Sequence, residues 1–410
     1  MPKVSRWLSL ALLPIAAFLD GGAYYGARSA LFVHLQGGGV AIDAYPAVLI
    51  GGIIASLVGT AFAGVIGLSK RPLLGGVLGA AVLGLAAALL AALPVQDVVF
   101  GTVTLGFAHG LLRTSILGAA AHAFGDTRSE HMRNAACMLV YGAANFAALL
   151  FLPLVEGLLL DGNETAAFVL SGLGAAPILL LLLLLDGVAF WGPREKDELS
   201  EPLEREGRHH LVIVAVVLLA GGFVWTFWST GFELVFERLR EGSGTLEEQT
   251  GFMKLNPAIV SLGCLVGAGV SVAMHWAKAR VSTLLPLGIG MVLVSASLFV
   301  LVAADGAGRG LLLMLLVIMS VGEALVGPLL ISRVAGDVNA RLHTALIALF
   351  FLITTVPTLL INPVIVEHDL APVVSAVSGV SAGLLGLGFI VAAVLGRRLF
   401  FPEPNEPTSF

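Results

Sequence analysis

The first long apolar stretch of the sequence contains an acid, two tyrosines and an arginine. Within Phe18–Phe32, Asp20, Tyr24 and Arg28 follow one another at intervals of four residues, and Tyr25 lies beside Tyr24. On an α-helix this spacing places the three on one stripe about 80° wide. A carboxylate and a guanidinium on one stripe can bind a charged solute or carry a proton, so we expect the stripe to line a polar cavity.

Three other apolar runs carry polar residues of the same kind. His109 and Arg113 are four residues apart in GFAHGLLRTS, and Tyr141 and Asn145 have the same separation in YGAAN. Glu323 is a lone carboxylate in MSVGEALVGPLL. Each pair is predicted to share one helix face.

The composition indicates the environment of these runs. The 410 residues are 58% hydrophobic and 12% charged, whereas soluble proteins carry about 25% charged residues. Apolar runs of about twenty residues, long enough to cross a bilayer, recur along the whole chain. We therefore predict an all-α membrane protein with twelve transmembrane helices. Their predicted cores are 8–34, 45–68, 73–94, 98–122, 133–157, 165–191, 210–235, 252–276, 283–304, 310–334, 342–365 and 372–397.

The longest interior connector divides the spans six and six. It runs from Gly192 to His210, is charged and contains two prolines. We predict an N-terminal six-helix half (1–192), a cytoplasmic linker (193–209), a C-terminal six-helix half (210–397) and a cytoplasmic tail (398–410). This layout resembles the major facilitator fold, in which substrate binds at the midplane between halves.

Lysine and arginine concentrate in the connectors of one side, such as Lys70, Arg128 and Arg280. Because cytoplasmic loops are enriched in these residues, we predict that both termini are cytoplasmic. The expected location is a bacterial-type inner membrane, which the chain crosses many times.

Charged groups inside a bilayer cost about 2.5–3.5 kcal/mol on insertion scales and face a bundle interior. The N-terminal half supplies two cations, Arg28 and Arg113, and the C-terminal half supplies two candidate anions, Glu323 and Glu233. A cavity with one positive and one negative wall suits a zwitterion. It equally suits a salt-bridge gate between the halves, and the two uses are compatible. The opposite face of the first helix is expected to contact lipid through Leu19, Ala23, Ala30 and Leu31.

Several motifs resemble the proton-dependent oligopeptide transporter family of the major facilitator superfamily. AFLDGGAYYGAR matches the family's first-helix Glu-x-x-Glu-Arg-x-x-Tyr-Tyr-Gly-x-Arg at its tyrosines, glycine and last arginine. GLLRTSI, RNAACMLVYGAANFAA, FMKLNP and GEALVGPLLIS resemble the motifs of helices 4, 5, 8 and 10, in that order. The resemblance implies the same fold and a transport activity.

The resemblance also implies roles for residues in the binding site. It assigns the peptide carboxylate to Arg28 and Arg113, and the amino end to Glu323 and Asn256. It places Tyr24 and Tyr25 in the pocket lining. Asn145 is a further candidate contact from its motif, and Trp225 lies near the polar stretch of helix 7, where pocket lining and lipid packing are both open.

The chain departs from the family where protons are coupled. Ala17, Asp20 and Gly21 occupy the positions of Glu-x-x-Glu-Arg, so one carboxylate remains. The candidates for proton coupling or gating are Asp20, Glu323, Glu233 and His109. Asp20 could instead only neutralise Arg28, and His109 could be a packing residue.

These observations predict a secondary transporter that takes up short peptides or a related zwitterion by alternating access, driven by a proton gradient. The alternative is a uniporter or exporter of a non-peptide carboxylated molecule, with proton coupling lost or rewired. A third possibility is a transporter-like membrane sensor. No enzyme is predicted, because the sequence has no phosphate-binding loop of the Walker type and no cluster with metal-ligand spacing. We expect no cofactor, no metal and no nucleic-acid partner, and a monomer in the lipid bilayer.

Overall fold

The computed structural model describes residues 3–37, 44–68, 73–94, 97–124, 130–186, 231–232, 234–236, 238–239, 246–279, 281–303, 308–336, 342–367 and 371–399. Regular structure within these ranges is helical, as predicted. The helices with complete bounds are α1 (Lys3–Gly37), α2 (Ala44–Gly67), α3 (Leu74–Ala92), α4 (Val98–Ala123), α5 (Glu130–Leu160), α6 (Glu164–Gly172), α7 (Ala175–Leu185), α8 (Leu246–Trp276), α9 (Leu284–Ala303), α10 (Arg309–Gly336), α11 (His343–Glu367) and α12 (Ala371–Leu399).

Within the described ranges, nine helical segments are long and apolar enough to cross a membrane. The sixth predicted span is one of them, Glu164–Leu185, and it consists of α6 and α7 joined at Leu173 and Gly174. α4 lies where the fourth span is predicted and is polar in part, but 19 of its residues are buried among other helices. Most of the predicted seventh span, 210–235, and the linker 193–209 lie outside the described residues.

α1 is enclosed by helices on several sides, packing against α4, α5, α6 and α7. The prediction that one of its faces contacts lipid is therefore wrong for Ala23, Ala30 and Leu31, which are at most 2% exposed. Small side chains let neighbouring helices approach closely in membrane proteins, so an apolar face of α1 becomes an interior contact.

The helices before the linker meet those after it at very short range. A Cβ atom at Gly64 of α2 would lie 2.7 Å from the Cβ atom of Ala348 in α11. A Cβ atom at Gly142 of α5 would lie 2.7 Å from that of Cys264 in α8. Glycine is required at both positions, because any side chain would force the two halves apart.

A group of polar residues joins the halves at one end of the bundle. We call it the junction cluster, and it consists of Glu130, His131, Arg133 and Asn134 of α5, Thr283 before α9, and Ser332 and Arg333 of α10. Its contacts run between chain segments about 150 to 200 residues apart. The Lys/Arg pattern predicts this end to be cytoplasmic.

The hydrogen bonds of the junction cluster are direct and mostly buried. Arg133 Nε donates to the Ser332 carbonyl oxygen at 3.0 Å. Asn134 donates to Thr283 Oγ1 at 2.8 Å and accepts from Ser332 Oγ at 2.5 Å. Glu130 accepts from the Thr283 hydroxyl and lies 3.9 Å from an Arg333 nitrogen. The two halves are therefore held together at this end.

The opposite end has a contact of another kind. Lys254 near the start of α8 lies 3.3 Å from Glu156 near the end of α5, and both side chains are partly exposed. Exposed ion pairs contribute about 0–1 kcal/mol. Between this ion pair and the junction cluster lies the polar interior of the bundle.

Candidate functional site

A cavity of about 170 Å³ lies between the two halves. α1, α4 and α5 line it from the N-terminal side, and α10 and α11 line it from the C-terminal side. Its polar lining residues are Asp20, Tyr25, His109, Arg113, Tyr141, Asn145, Glu323, Thr354 and Thr355. Six of these are residues that the sequence analysis selected as candidate site residues.

Arg113 is the cation of this cavity wall. Its guanidinium carbon lies 3.7 Å from the centre of the Phe351 ring in α11, which is a close cation–π contact across the halves. Its Nε atom is buried and has no hydrogen-bond partner among the described residues. Because guanidinium groups bind carboxylates through paired N–H donors, Arg113 has donor capacity left for a ligand.

Glu323 is the anion on the facing wall and has partners in both halves. Oε1 accepts a hydrogen bond from the Tyr141 hydroxyl of α5 at 2.8 Å. Oε2 accepts from Asn256 Nδ2 of α8 at 2.9 Å, and Asn256 also donates to Ser320 Oγ at 3.1 Å. Glu323 and Arg113 are both described, and no hydrogen bond or ion pair joins them.

Asp20 and His109 form a second polar pair beside the first. Asp20 Oδ2 lies 3.0 Å from His109 Nδ1, and both side chains are at least nine-tenths buried. The Tyr24 ring stacks on the His109 ring, with centroids 4.0 Å apart. Asp20 Oδ1 is buried and has no hydrogen-bond partner within the described part of the chain.

The structure shows the partners of the two buried carboxylates, Asp20 and Glu323, which the sequence left open. Asp20 is paired with His109 and not with Arg28, since histidine on α4 comes within hydrogen-bond distance while the Arg28 side chain is exposed. Glu323 is paired with Tyr141 and Asn256 and not with Arg28 or Arg113.

The remaining predicted site residues take different positions. Asn145 lines the cavity, and its amide donates to the Tyr141 carbonyl oxygen at 3.0 Å. Asn256 stands behind Glu323, and Tyr24 stands behind His109, so neither lines the cavity directly. Arg28 also lies outside the lining. Trp225 and Glu233 are outside the described residues.

Sequence reasoning missed Phe351 as a member of the site. It lies in the run ALFFLITT, where an aromatic residue in an apolar helix is indistinguishable from ordinary core packing. The junction cluster was missed too, although a signal exists. The polar start of α5, EHMRN, precedes an apolar run and carries four of its seven residues.

The fold and the cavity define a class of protein. Two groups of membrane-crossing helices that meet around a central polar cavity are the architecture of a secondary transporter. The sequence matches the Major Facilitator Superfamily over residues 10–362. The chain therefore belongs to the major facilitator superfamily, and it is a multi-pass membrane transporter and not an enzyme. No curated protein sequence matches it.

Solved structures share the fold over nearly the whole chain. A proton:xylose symporter bound to 6-bromo-6-deoxy-D-glucose is similar with a TM-score of 0.68 and 15% identity, covering 93% of this chain and 96% of its own. The Escherichia coli fucose:proton symporter gives 0.66 and 14%, covering 94% and 99%. A POT family transporter in complex with 5-aminolevulinic acid gives 0.59 and 16%, covering 94% and 96%. At these identities the likeness shows the fold alone.

Proposed function

We propose that the protein is a proton-coupled secondary transporter for short peptides or a related small zwitterion. The central observation is that Arg113 and Glu323 line one cavity from opposite halves without pairing with each other. A solute with a carboxylate and an ammonium group would satisfy both. The carboxylate would take the free donor of Arg113, and the ammonium group would approach Glu323.

The size of the cavity supports a small solute. Ligand pockets for drug-sized molecules measure about 300–1,000 Å³, and this one measures about 170 Å³. An amino acid or a dipeptide suits this volume better than a long peptide. The POT family transporter crystallised with 5-aminolevulinic acid binds a small molecule that has an amino and a carboxyl group.

Two groups are candidates for carrying the proton. Asp20 has one oxygen bonded to His109 and the other without a partner among the described residues. Glu323 has a partner on each oxygen. We place the proton on the Asp20–His109 pair, because Asp20 Oδ1 has no hydrogen-bond partner among the described residues. We assign Glu323 to the substrate, because its oxygens lie on the wall that faces Arg113 and each keeps a lone pair beside its one hydrogen bond. Uptake would carry the solute and the proton together into the cytoplasm of a bacterial-type cell.

Reconstitution tests the proposal directly. In proteoliposomes with an acidic exterior and an inside-negative potential, labelled di-alanine or 5-aminolevulinate should accumulate. Arg113→Gln should reduce accumulation at least about tenfold, because a buried charge-assisted hydrogen bond contributes about 1.5–3 kcal/mol. Arg309→Gln is the matched control, since Arg309 also lies over a phenylalanine ring, Phe252, but outside the cavity lining.

Absence of both uptake and binding for every di- or tripeptide and amino acid tried would overturn the proposal. Binding can be followed by thermal shift, because a ligand that binds the folded state raises the midpoint of thermal unfolding.

A second candidate function, transport of a non-peptide carboxylate without proton coupling, is favoured by the small cavity and by the single carboxylate in the first-helix motif. Uptake of such an acid that is indifferent to the pH gradient would identify it.

A further inference from the structure

Arg113 and Glu323, the two groups assigned to the substrate, each contact an aromatic residue of the opposite half. Arg113 belongs to α4 and lies against Phe351 of α11. Glu323 belongs to α10 and accepts a hydrogen bond from Tyr141 of α5. Both contacts must break when the halves separate at the level of the cavity, because each contact joins a residue of one half to a residue of the other.

We propose that Phe351 is a positioning residue that makes carboxylate binding at Arg113 depend on the closure of the two halves. The inference rests on the proposed function and adds a determinant of specificity to the same site. It concerns the carboxylate end of the solute and leaves the choice of proton carrier aside.

The geometry of the contact carries the first step. At 3.7 Å from the ring centre to the guanidinium carbon, the ring covers the guanidinium group closely. The N–H donors of a guanidinium lie in its plane and form a fork that matches a carboxylate. A ring held against the group therefore restricts its orientation and fixes the direction in which the donors point.

Burial carries the second step. Phe351 is 7% exposed, and the Nε atom of Arg113 is buried without a hydrogen-bond partner among the described residues. A buried donor without a partner is unfavourable, so a carboxylate that reaches the guanidinium is bound strongly. In the closed arrangement the Phe351 ring orients the Arg113 guanidinium, and its Nε has no hydrogen-bond acceptor among the described residues.

Separation of the halves would remove both conditions. Once α11 moves away from α4, the guanidinium loses its ring contact and can rotate into a wetter environment. Its affinity for a carboxylate then falls. A solute with a free carboxylate would thus favour closure of the halves around it, since it binds best in the closed arrangement.

The experiment compares a carboxylate with its amide. Thermal shift would give the affinity of the full-length purified protein for di-alanine and for di-alanine amide. Phe351→Leu keeps an apolar side chain and removes the ring, and we expect the preference for the free carboxylate to fall about fivefold, within the range of a desolvated cation–π contact. Phe351→Tyr keeps the ring and should restore the preference.

Two further variants separate positioning from packing. Phe252→Leu is the matched control, because the Phe252 ring also lies against an arginine, Arg309, but outside the cavity lining; it should leave the preference unchanged. Phe351→Met fills the space without a ring if the leucine variant fails to fold. A packing defect weakens the binding of both ligands alike, so only the ratio of the affinities for di-alanine and its amide reports on positioning.

The outcomes are distinct. An unchanged ratio in Phe351→Leu or Phe351→Met, or an equal loss in Phe252→Leu, overturns this inference while the proposed function stands. If the wild-type protein binds neither di-alanine nor any other zwitterion tried, the proposed function fails and the inference fails with it.

Discussion

Asp20 combines two properties that a proton carrier requires. Its Oδ2 atom is 3.0 Å from His109, and its Oδ1 atom is buried without a partner among the described residues. Tyr24 stacks on the face of the histidine ring, which holds the imidazole in place with its Nδ1 edge towards the carboxylate. Tyr25, Arg113 and Glu323 line the same cavity, so a change of charge on Asp20 would be felt at the substrate groups.

The substitution Asp20→Asn should separate proton coupling from transport. It keeps the size and an oxygen for His109 but cannot take up a proton. We expect accumulation against a gradient to be lost, while counterflow exchange of labelled for unlabelled solute continues. Both rates are measured in the same proteoliposomes.

Glu323→Gln serves as the comparison for this prediction. It should weaken binding of solutes with a free amino group more than of N-acetylated ones, with exchange falling in parallel. The opposite result would assign proton coupling to Glu323. In that case gradient-driven accumulation would survive in Asp20→Asn but disappear in Glu323→Gln, while exchange persists in Glu323→Gln.

The ionisable residues of the site could be predicted from the sequence, because a charged group in an apolar run is unfavourable in a bilayer and therefore indicates a function. Asp20, His109, Arg113 and Glu323 are ionisable groups in apolar runs, and all four line the cavity. Their pairing was not predictable, because which side chains meet depends on the rotation of each helix about its axis. Phe351 carried no signal, since an aromatic side chain in an apolar helix is not costly.

At the scale of the helices, small residues determine how the halves meet. α2 and α11 approach where Gly64 faces Ala348, and α5 and α8 approach where Gly142 faces Cys264. The apolar runs fixed the number and position of most helices, so these were predictable from the sequence. The faces of α1 were not, because alanine and leucine serve equally well against lipid and against another helix.

The substitution Gly64→Val should prevent the approach of α2 and α11. A Cβ atom there would lie 2.7 Å from Ala348, nearer than atoms can pack, so the helices must separate. We expect transport to fall at least about tenfold, within the 1–3 kcal/mol range of overpacking, and amide hydrogen exchange in the junction cluster to speed up.

Gly269→Val is the control for this experiment. It introduces the same side chain into α8 at a position with open space around the Cβ atom. Equal effects of the two substitutions would attribute the loss to a β-branched side chain anywhere in these helices and would contradict the role of the close approach.

At the scale of the whole molecule, the contacts among the described residues hold the two ends of the bundle unequally. The junction cluster combines several buried hydrogen bonds, each contributing about 0.5–1.5 kcal/mol. The opposite end has the partly exposed pair of Lys254 and Glu156, and such pairs contribute about 0–1 kcal/mol. We therefore expect the end with Lys254 to open more easily in the empty transporter, with the junction cluster opening only after the solute has bound.

The approach of Gly142 to Cys264 also provides a means of timing this movement. The closed arrangement leaves no room for a reagent at this contact, since even a Cβ atom at Gly142 would lie 2.7 Å from the Cβ atom of Cys264, and the Cys264 thiol is buried. In a Cys137→Ala variant, which keeps Cys264 as its one cysteine, an uncharged maleimide should label the thiol only during the moments when α5 and α8 are apart. The rate of labelling, followed by mass spectrometry with and without di-alanine, would then record how often the halves separate. A rate that does not change with solute would show that α5 and α8 stay together throughout the cycle, and the native thiol would mark the hinge instead of the moving surface.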